Sequence, residues 1–196
     1  MIFNHEGDPA LIKQLLKGNK EAFARVYDIY FPILFQYCIR FTPDRSLIKD
    51  VLQDFFIGLL KRQERSPEIH DLKRYLMVSA RRELLRRLAK SSRLPLEAMT
   101  GEAYEFHLEL SPETTLIDKQ RGEHQSRCLQ NTINALTPRQ REAIYLYFYN
   151  DSSYEEIAEI MSLKEVKYAR TLVYRALAEL RLVLKEGDPL LRQIIS

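Results

Sequence analysis

Apolar residues recur at three- and four-residue steps over most of the chain, and this spacing is the period of amphipathic α-helices. The spacing predicts five helices before the last third of the chain, over residues 8–18, 19–41, 42–62, 70–90 and 113–136. Two short helices and a longer one follow them. The sequence shows neither a cluster of strands nor an internal repeat, so it predicts an all-α fold.

Residues 91–115 interrupt the helical pattern with two prolines, one glycine and mostly acidic charges. This composition is typical of a linker, although the alternation Phe106-x-Leu108-x-Leu110 within it also fits an extended segment. We therefore expect two helical domains joined by a linker. Their expected bounds are 8–90 for the N-terminal domain, 91–115 for the acidic linker and 116–186 for the C-terminal domain.

The last third of the chain carries two helix-capping signals followed by a long amphipathic run. Residues 137–140 (Thr-Pro-Arg-Gln) and 153–156 (Ser-Tyr-Glu-Glu) place a hydroxyl at a helix start and a Gln or Glu three residues later. This is the capping-box pattern. A connection over 161–163 then leads into a helix over 164–184. A short helix, a tight turn and a second helix form a helix-turn-helix, which makes duplex DNA the expected ligand.

The predicted helix over 164–184 divides into a core-facing side and an exposed side. The core-facing side is apolar: Val166, Ala169, Val173, Leu177, Leu180 and Leu184. The exposed side is polar and basic: Lys164, Tyr168, Thr171 and Arg175, with Lys167 and Arg170 at its edges. Lysine and arginine can pair with guanine edges in the major groove, and the other groups can bind phosphates. An ordinary amphipathic helix with a solvated face is the alternative.

The predicted helix over 42–62 carries a wide apolar stripe and a separate mixed patch. The stripe is formed by Leu47, Ile48, Val51, Leu52, Phe55, Phe56, Leu59 and Leu60. The patch on the other side is formed by Asp50, Gln53, Asp54 and Ile57. Carboxylates that orient a partner, beside an exposed isoleucine, suit docking of a basic helix. Paired carboxylates also occur in acid–base and metal sites, but this side offers no histidine, cysteine or third carboxylate at ligand spacing.

Basic residues form a stripe on the predicted helix over 70–90. Five of them lie on or beside it: Arg74, Arg81, Arg82, Arg86 and Lys90. The last three, Arg82, Arg86 and Lys90, recur every four residues along the helix. Like charges at this spacing repel each other, so an external polyanion usually compensates such a stripe. Residues 61–93 carry eleven basic and four acidic groups, although the whole chain has a net charge of only +3. This local excess suits a phosphate backbone; a solvated charged helix is the alternative.

Composition argues against several classes of protein. With 45% apolar and 29% charged residues the chain fits a globular class. No apolar run approaches the roughly 18 residues of a membrane span, and residues 1–10 lack a signal-peptide pattern. The two cysteines stand apart, as in a reducing cytoplasm, and the four histidines are scattered. Without a Gly-rich phosphate loop either, we expect no enzyme, no metal and no cofactor.

Five segments, in this order along the chain, carry motifs of one known family: 23–41, 50–56 (Asp-Val-Leu-Gln-Asp-Phe-Phe), 75–90, 135–141 and 154–181. On these the chain resembles a bacterial RNA polymerase sigma factor of the extracytoplasmic-function (ECF) group of the sigma-70 family. In that family the second segment is the most diagnostic motif and docks on the β′ subunit of the polymerase. The third segment aligns with the helix that reads the −10 element, and the last two with the domain that reads the −35 element.

The resemblance implies a cytoplasmic, non-catalytic transcription initiation factor. Its partners would be core RNA polymerase, through the β′ clamp helices and the β flap, and promoter DNA. An anti-sigma factor is a further candidate, since one commonly holds family members inactive. The implied polymerase-binding residues are Asp50, Gln53, Asp54 and Ile57. The implied −10 residues are Arg74, Arg81, Arg82, Arg86 and Lys90. The implied −35 residues are Arg139, Lys164, Lys167, Tyr168, Thr171 and Arg175. The acidic linker would run through the RNA channel of the polymerase, or act as a plain solvated tether.

The chain departs from the family pattern on the −10 helix. Tyr75 stands where the group often has Trp, and Arg82 and Arg86 stand where it usually has Asn and Asp. These changes should raise backbone affinity and leave open which −10 bases are read. The main alternative to a sigma factor is a helix-turn-helix repressor or activator that never touches polymerase. Such a protein would need neither the Asp50, Gln53 and Asp54 patch nor a second basic domain.

Overall fold

A computed structural model describes residues 9–61, 69, 71–92, 104–109 and 121–184. The first four helices are α1 (Pro9–Leu16), α2 (Lys20–Cys38), α3 (Arg45–Lys61) and α4 (Leu72–Ser92). The next four are α5 (Arg121–Ala135), α6 (Pro138–Phe148), α7 (Tyr154–Ile160) and α8 (Val166–Leu184). Since these ranges contain helices and no strand, the all-α prediction is confirmed. The chain divides into two compact units, one ending at Tyr104 and the other beginning at Glu105.

The first unit is built on a three-helix core. Helices α2, α3 and α4 pack against one another, and α1 packs on α2. Apolar residues of all three helices are completely buried: Val26, Leu34, Ile48, Leu52, Leu76 and Leu84. Cys38 is buried with them, and loss of hydration raises the pKa of its thiol to about 12. This helix packing leaves one face of α3 and one face of α4 at the surface.

Two aspartates set the starts of α3 and α4, each later than the sequence pattern indicated. The Asp44 carboxylate accepts the backbone N–H of Leu47 at 3.0 Å, so α3 begins after Asp44 and not at Thr42. The Asp71 carboxylate likewise accepts the N–H of Arg74 at 2.9 Å. Both act as N-caps, which satisfy donors that the helix itself leaves unpaired.

The second unit surrounds its last helix, because α8 packs against α5, α6 and α7. Both predicted capping boxes are confirmed. Thr137 accepts the N–H of Gln140 at 3.3 Å, and Ser153 accepts the N–H of Glu156 at 3.2 Å, with the Gln and Glu side chains accepting in return. The turn between α7 and α8 places Ser162 at a φ of 54°, a left-handed conformation that reverses the chain tightly.

Part of the predicted linker is buried rather than solvated. Tyr104 belongs to the first unit, where its ring lies 5.5 Å from that of Phe41. Phe106 and Leu108 are buried in the second unit. Arg141 donates from Nε to the Phe106 carbonyl at 2.6 Å, and Gln130 donates to the Leu108 carbonyl at 2.9 Å. Residues 105–109 therefore form an extended segment docked on the second unit, which excludes a plain solvated tether at these positions.

Candidate binding surfaces

The mixed patch predicted on α3 is assembled on the surface of the first unit. Asp50, Gln53 and Asp54 are exposed, and Ile57 is 42% exposed beside them. Leu60, which the periodicity had assigned to the apolar stripe, is also 42% exposed, because its direction on the helix is closer to the patch than to the core. The patch thus combines two carboxylates and an amide with two aliphatic side chains.

Asp54 is joined to α4 by a chain of ion pairs. Arg87 donates to the Asp54 carboxylate at 2.5 Å and to Glu83 at 3.2 Å. Glu83 also accepts from Arg86 at 2.6 and 2.9 Å. The hydrogen bond from Arg86 is the largest cause that lowers the pKa of Glu83, against partial desolvation, so this carboxyl is ionised. We did not predict Arg87 as part of a site, since its contact with Asp54 joins different helices.

The basic stripe predicted on α4 is exposed, but one of the two arginines predicted beside it is buried. Arg82, Arg86 and Lys90 are exposed, and Arg74 is half-buried. Arg81 is only 2% exposed, and its guanidinium lies 5.4 Å from the centre of the Tyr104 ring. Arg81 was predicted beside the stripe as a DNA-binding residue, and the expectation that its side chain is exposed there is wrong. The interaction of the cation with the aromatic face contributes to stabilising the charge there.

The outer face of α8 exposes the side chains that periodicity placed there: Lys167, Tyr168, Thr171 and Arg175. Lys164 is exposed too, but it lies in the turn, because α8 begins at Val166. Arg139 is half-buried in the first turn of α6, on another element. Thr171 donates to the Lys167 carbonyl at 2.8 Å, so its hydroxyl proton is used within the helix.

A pair of stacked tyrosines and an arginine connect α6, α7 and α8. The rings of Tyr147 and Tyr154 stack at 5.3 Å, and the Arg170 guanidinium lies 5.4 Å from the centre of the Tyr154 ring. Desolvation, followed by the hydrogen bond with Tyr147, raises the pKa of Tyr154 to about 12, so the phenol stays neutral. Arg170, placed at the edge of the exposed face by periodicity, thus reaches from α8 to a ring on α7.

Two other kinds of feature, a membrane-spanning helix and a metal-binding cluster, are absent from the part of the chain that the structure describes. No helix there is long and apolar enough to cross a membrane. No group of three or more His, Cys, Asp or Glu residues there is arranged to hold a metal ion. His107 is exposed, His5 and His70 lie outside the described ranges, and His124 belongs to α5.

Comparison with known proteins identifies both units. The family model for sigma-70 region 2 matches residues 26–94, and the model for sigma-70 region 4 matches residues 126–180. The ECF RNA polymerase sigma factor BldN of Streptomyces coelicolor is 28% identical over 178 residues. That alignment covers 90% of this chain and 65% of BldN, so the chain spans just under two thirds of this relative's length.

Two solved structures share the fold. One is CnrH in complex with the cytosolic domain of CnrY, with a TM-score of 0.57 and 20% identity over 92% of this chain and 99% of that one. The other is the sigma factor RpoE in complex with the anti-sigma factor NepR from Bartonella quintana. It has a TM-score of 0.58 and 21% identity over 86% of this chain and 99% of that one.

Proposed function

The chain belongs to the ECF group of the sigma-70 family, and we propose that it is a transcription initiation factor that directs core RNA polymerase to promoters. The observation that supports the proposal is that an exposed patch of carboxylate, amide and aliphatic side chains on α3 is followed along the chain by exposed basic faces on α4 and α8. The factor itself performs no chemistry. We place its action in the cytoplasm, where polymerase and promoter DNA are found.

The polymerase contact is assigned to the patch on α3. Asp50, Gln53 and Asp54 would orient a basic element of core polymerase, the β′ clamp helices, and Ile57 would supply the buried apolar area. Many protein interfaces combine such groups, because charges guide the encounter of the two partners and a buried aliphatic group contributes affinity. The exposed Leu60 extends the same apolar area. The β flap is proposed as a second polymerase contact, made by the second unit.

The two DNA contacts are assigned to α4 and to the helix-turn-helix. Arg82, Arg86 and Lys90 would hold the −10 backbone while the strands separate, with Arg74 at the edge. The outer face of α8 would enter the major groove of the −35 element, through Lys167, Tyr168, Thr171 and Arg175, with Lys164 from the turn and Arg139 from α6. An anti-sigma factor is proposed as a regulatory partner, as in the RpoE complex with NepR.

The function is tested by mixing the purified chain with bacterial core RNA polymerase and following co-migration by size-exclusion chromatography. We expect a stable complex that starts transcription from promoter fragments selected by that complex. Tight binding to duplex DNA without binding to core would contradict the proposal and would favour a helix-turn-helix repressor or activator.

Arg175→Ala should weaken binding to the −35 element by about five- to hundredfold, as expected for loss of an arginine contact to a base edge. Its side chain is exposed on α8, so the second unit should keep its stability. The measurement is promoter binding by the holoenzyme, with core affinity measured in parallel. Arg25→Ala, which removes an exposed charge from α2, is the matched control. If Arg175→Ala instead unfolds the second unit, the arginine is structural.

A further inference from the structure

We infer that Gly58 is the point of closest approach between α3 and a helix of core RNA polymerase. The inference rests on the proposed function, because it refines the docking patch on α3 that the function assigns to polymerase. The missing side chain leaves a notch in this face of α3, and the polymerase helix packs its own backbone close to that notch. Any side chain added at position 58 therefore lowers the affinity for core.

Neither the backbone nor the packing of the folded chain requires a glycine at this position. Gly58 lies within α3, three residues before the helix ends at Lys61. Its φ is outside the left-handed range, which is the conformation that favours glycine and that Gly18 adopts with a φ of 74°. Beyond its own stretch of α3, a Cβ built on Gly58 would meet no atom within 4 Å. A larger residue would therefore fit the free protein without strain.

The glycine also makes α3 less stable than an alanine would. Glycine is among the least favourable residues inside a helix, because it loses more backbone freedom on folding than alanine does and leaves the backbone uncovered. The free chain thus carries a destabilising residue at an exposed position of the docking helix. A contact that forms only in a complex supplies the physical reason for the uncovered backbone there.

Gly58 lies within the docking patch and not on an unrelated surface of the first unit. It follows Asp54 by one helical turn on the same face of α3 and is next to Ile57 in the sequence. The Asp54 side chain is 58% exposed, and Ile57 and Leu60 are each 42% exposed. Protruding aliphatic side chains beside an uncovered stretch of backbone form a ridge and a groove, which is the surface relief by which helices pack together.

The notch also defines the kind of partner that fits. The axes of packed helices lie about 8–10 Å apart, and small residues at the contact allow the shorter distance. A lysine or arginine of the partner that pairs with the exposed Asp54 carboxylate covers the backbone at Gly58 with its methylene stem. The partner element is therefore a basic amphipathic helix that packs closely against α3.

The test compares Gly58→Ala and Gly58→Leu with the natural full-length chain in anisotropy titrations against core RNA polymerase. Affinity should fall about two- to fivefold for Gly58→Ala and about five- to hundredfold for Gly58→Leu, because overpacking a close contact becomes more costly with each added carbon. Ala24→Leu adds bulk at an exposed position of α2 and is the matched control, which should bind core as the natural chain does. Hydrogen exchange in α3 should slow for Gly58→Ala, because alanine favours the helix.

Unchanged core affinity of both Gly58 variants, or an equal loss for Ala24→Leu, would overturn the inference and leave the proposed function standing. Equal losses for Gly58→Ala and Gly58→Leu would show that α3 has to bend at this glycine, which also overturns close approach. A loss of affinity accompanied by faster exchange in α3 would show damage to the helix and would overturn the inference too. If the natural chain itself does not bind core, the proposed function fails together with the inference.

Discussion

Reversing both carboxylates of the patch, Asp50→Arg with Asp54→Arg, should lower the affinity for core RNA polymerase by about a hundredfold or more, since like charges facing each other across an interface cost several kcal/mol. Both side chains are exposed, so the three-helix core beneath them should be unaffected. The lost pair between Asp54 and Arg87 is a surface pair, worth at most about 1 kcal/mol of stability.

The experiment compares binding of fluorescently labelled chain to core polymerase, by anisotropy titration, with thermal melting followed by circular dichroism. The matched control is Asp28→Arg with Glu179→Arg, which makes the same change in net charge at exposed positions outside the proposed sites. The control should bind core as the natural chain does. A double patch variant that still binds core with natural affinity would remove the α3 patch from the docking surface.

Phe106→Ala should destabilise the second unit by about 3–5 kcal/mol, the usual range for removing a buried phenylalanine ring. Phe106 is completely buried, and its ring meets that of Tyr145 edge-on at 5.7 Å. The loss also weakens the docked segment 105–109, in which Arg141 bonds the Phe106 carbonyl as well as the carbonyls of Asn134 and Leu136. The variant should therefore expose groups on α5 and α6 that the segment now covers.

Hydrogen exchange read out by mass spectrometry measures this effect segment by segment, with α2–α4 of the first unit as an internal reference. His107→Ala is the matched control, because His107 lies on the same segment with its side chain exposed. Exchange in α5 and α6 should rise for Phe106→Ala and stay unchanged for His107→Ala. Identical protection in the two variants would mean that the segment contributes nothing to the unit.

Local patterns in the sequence predicted most of the helices and helix caps of this protein. The predictions that failed did so for a common reason. The capping boxes at Thr137 and Ser153 were predictable because each is completed within four residues. The starts of α3 and α4 were placed too early because Asp44 and Asp71 compete with nearby residues as caps. Arg81 was expected to be exposed because a charge alone predicts exposure, whereas tertiary packing places it against the Tyr104 ring. Contacts between residues that are far apart in the sequence could not be predicted from local sequence patterns.

The sequence by itself determined the all-α class, the helix-turn-helix and the patch on α3, because these depend on spacings within one or two helical turns. Tertiary structure decided the rest. It buried Arg81 and Phe106, exposed Leu60 and joined Asp54 to Arg87. The physical reason is that burial and ion pairing depend on which helix faces pack together. That packing brings together residues far apart in the chain, such as Phe106 and Arg141. The spacing of apolar residues within one helix contains no information about such contacts.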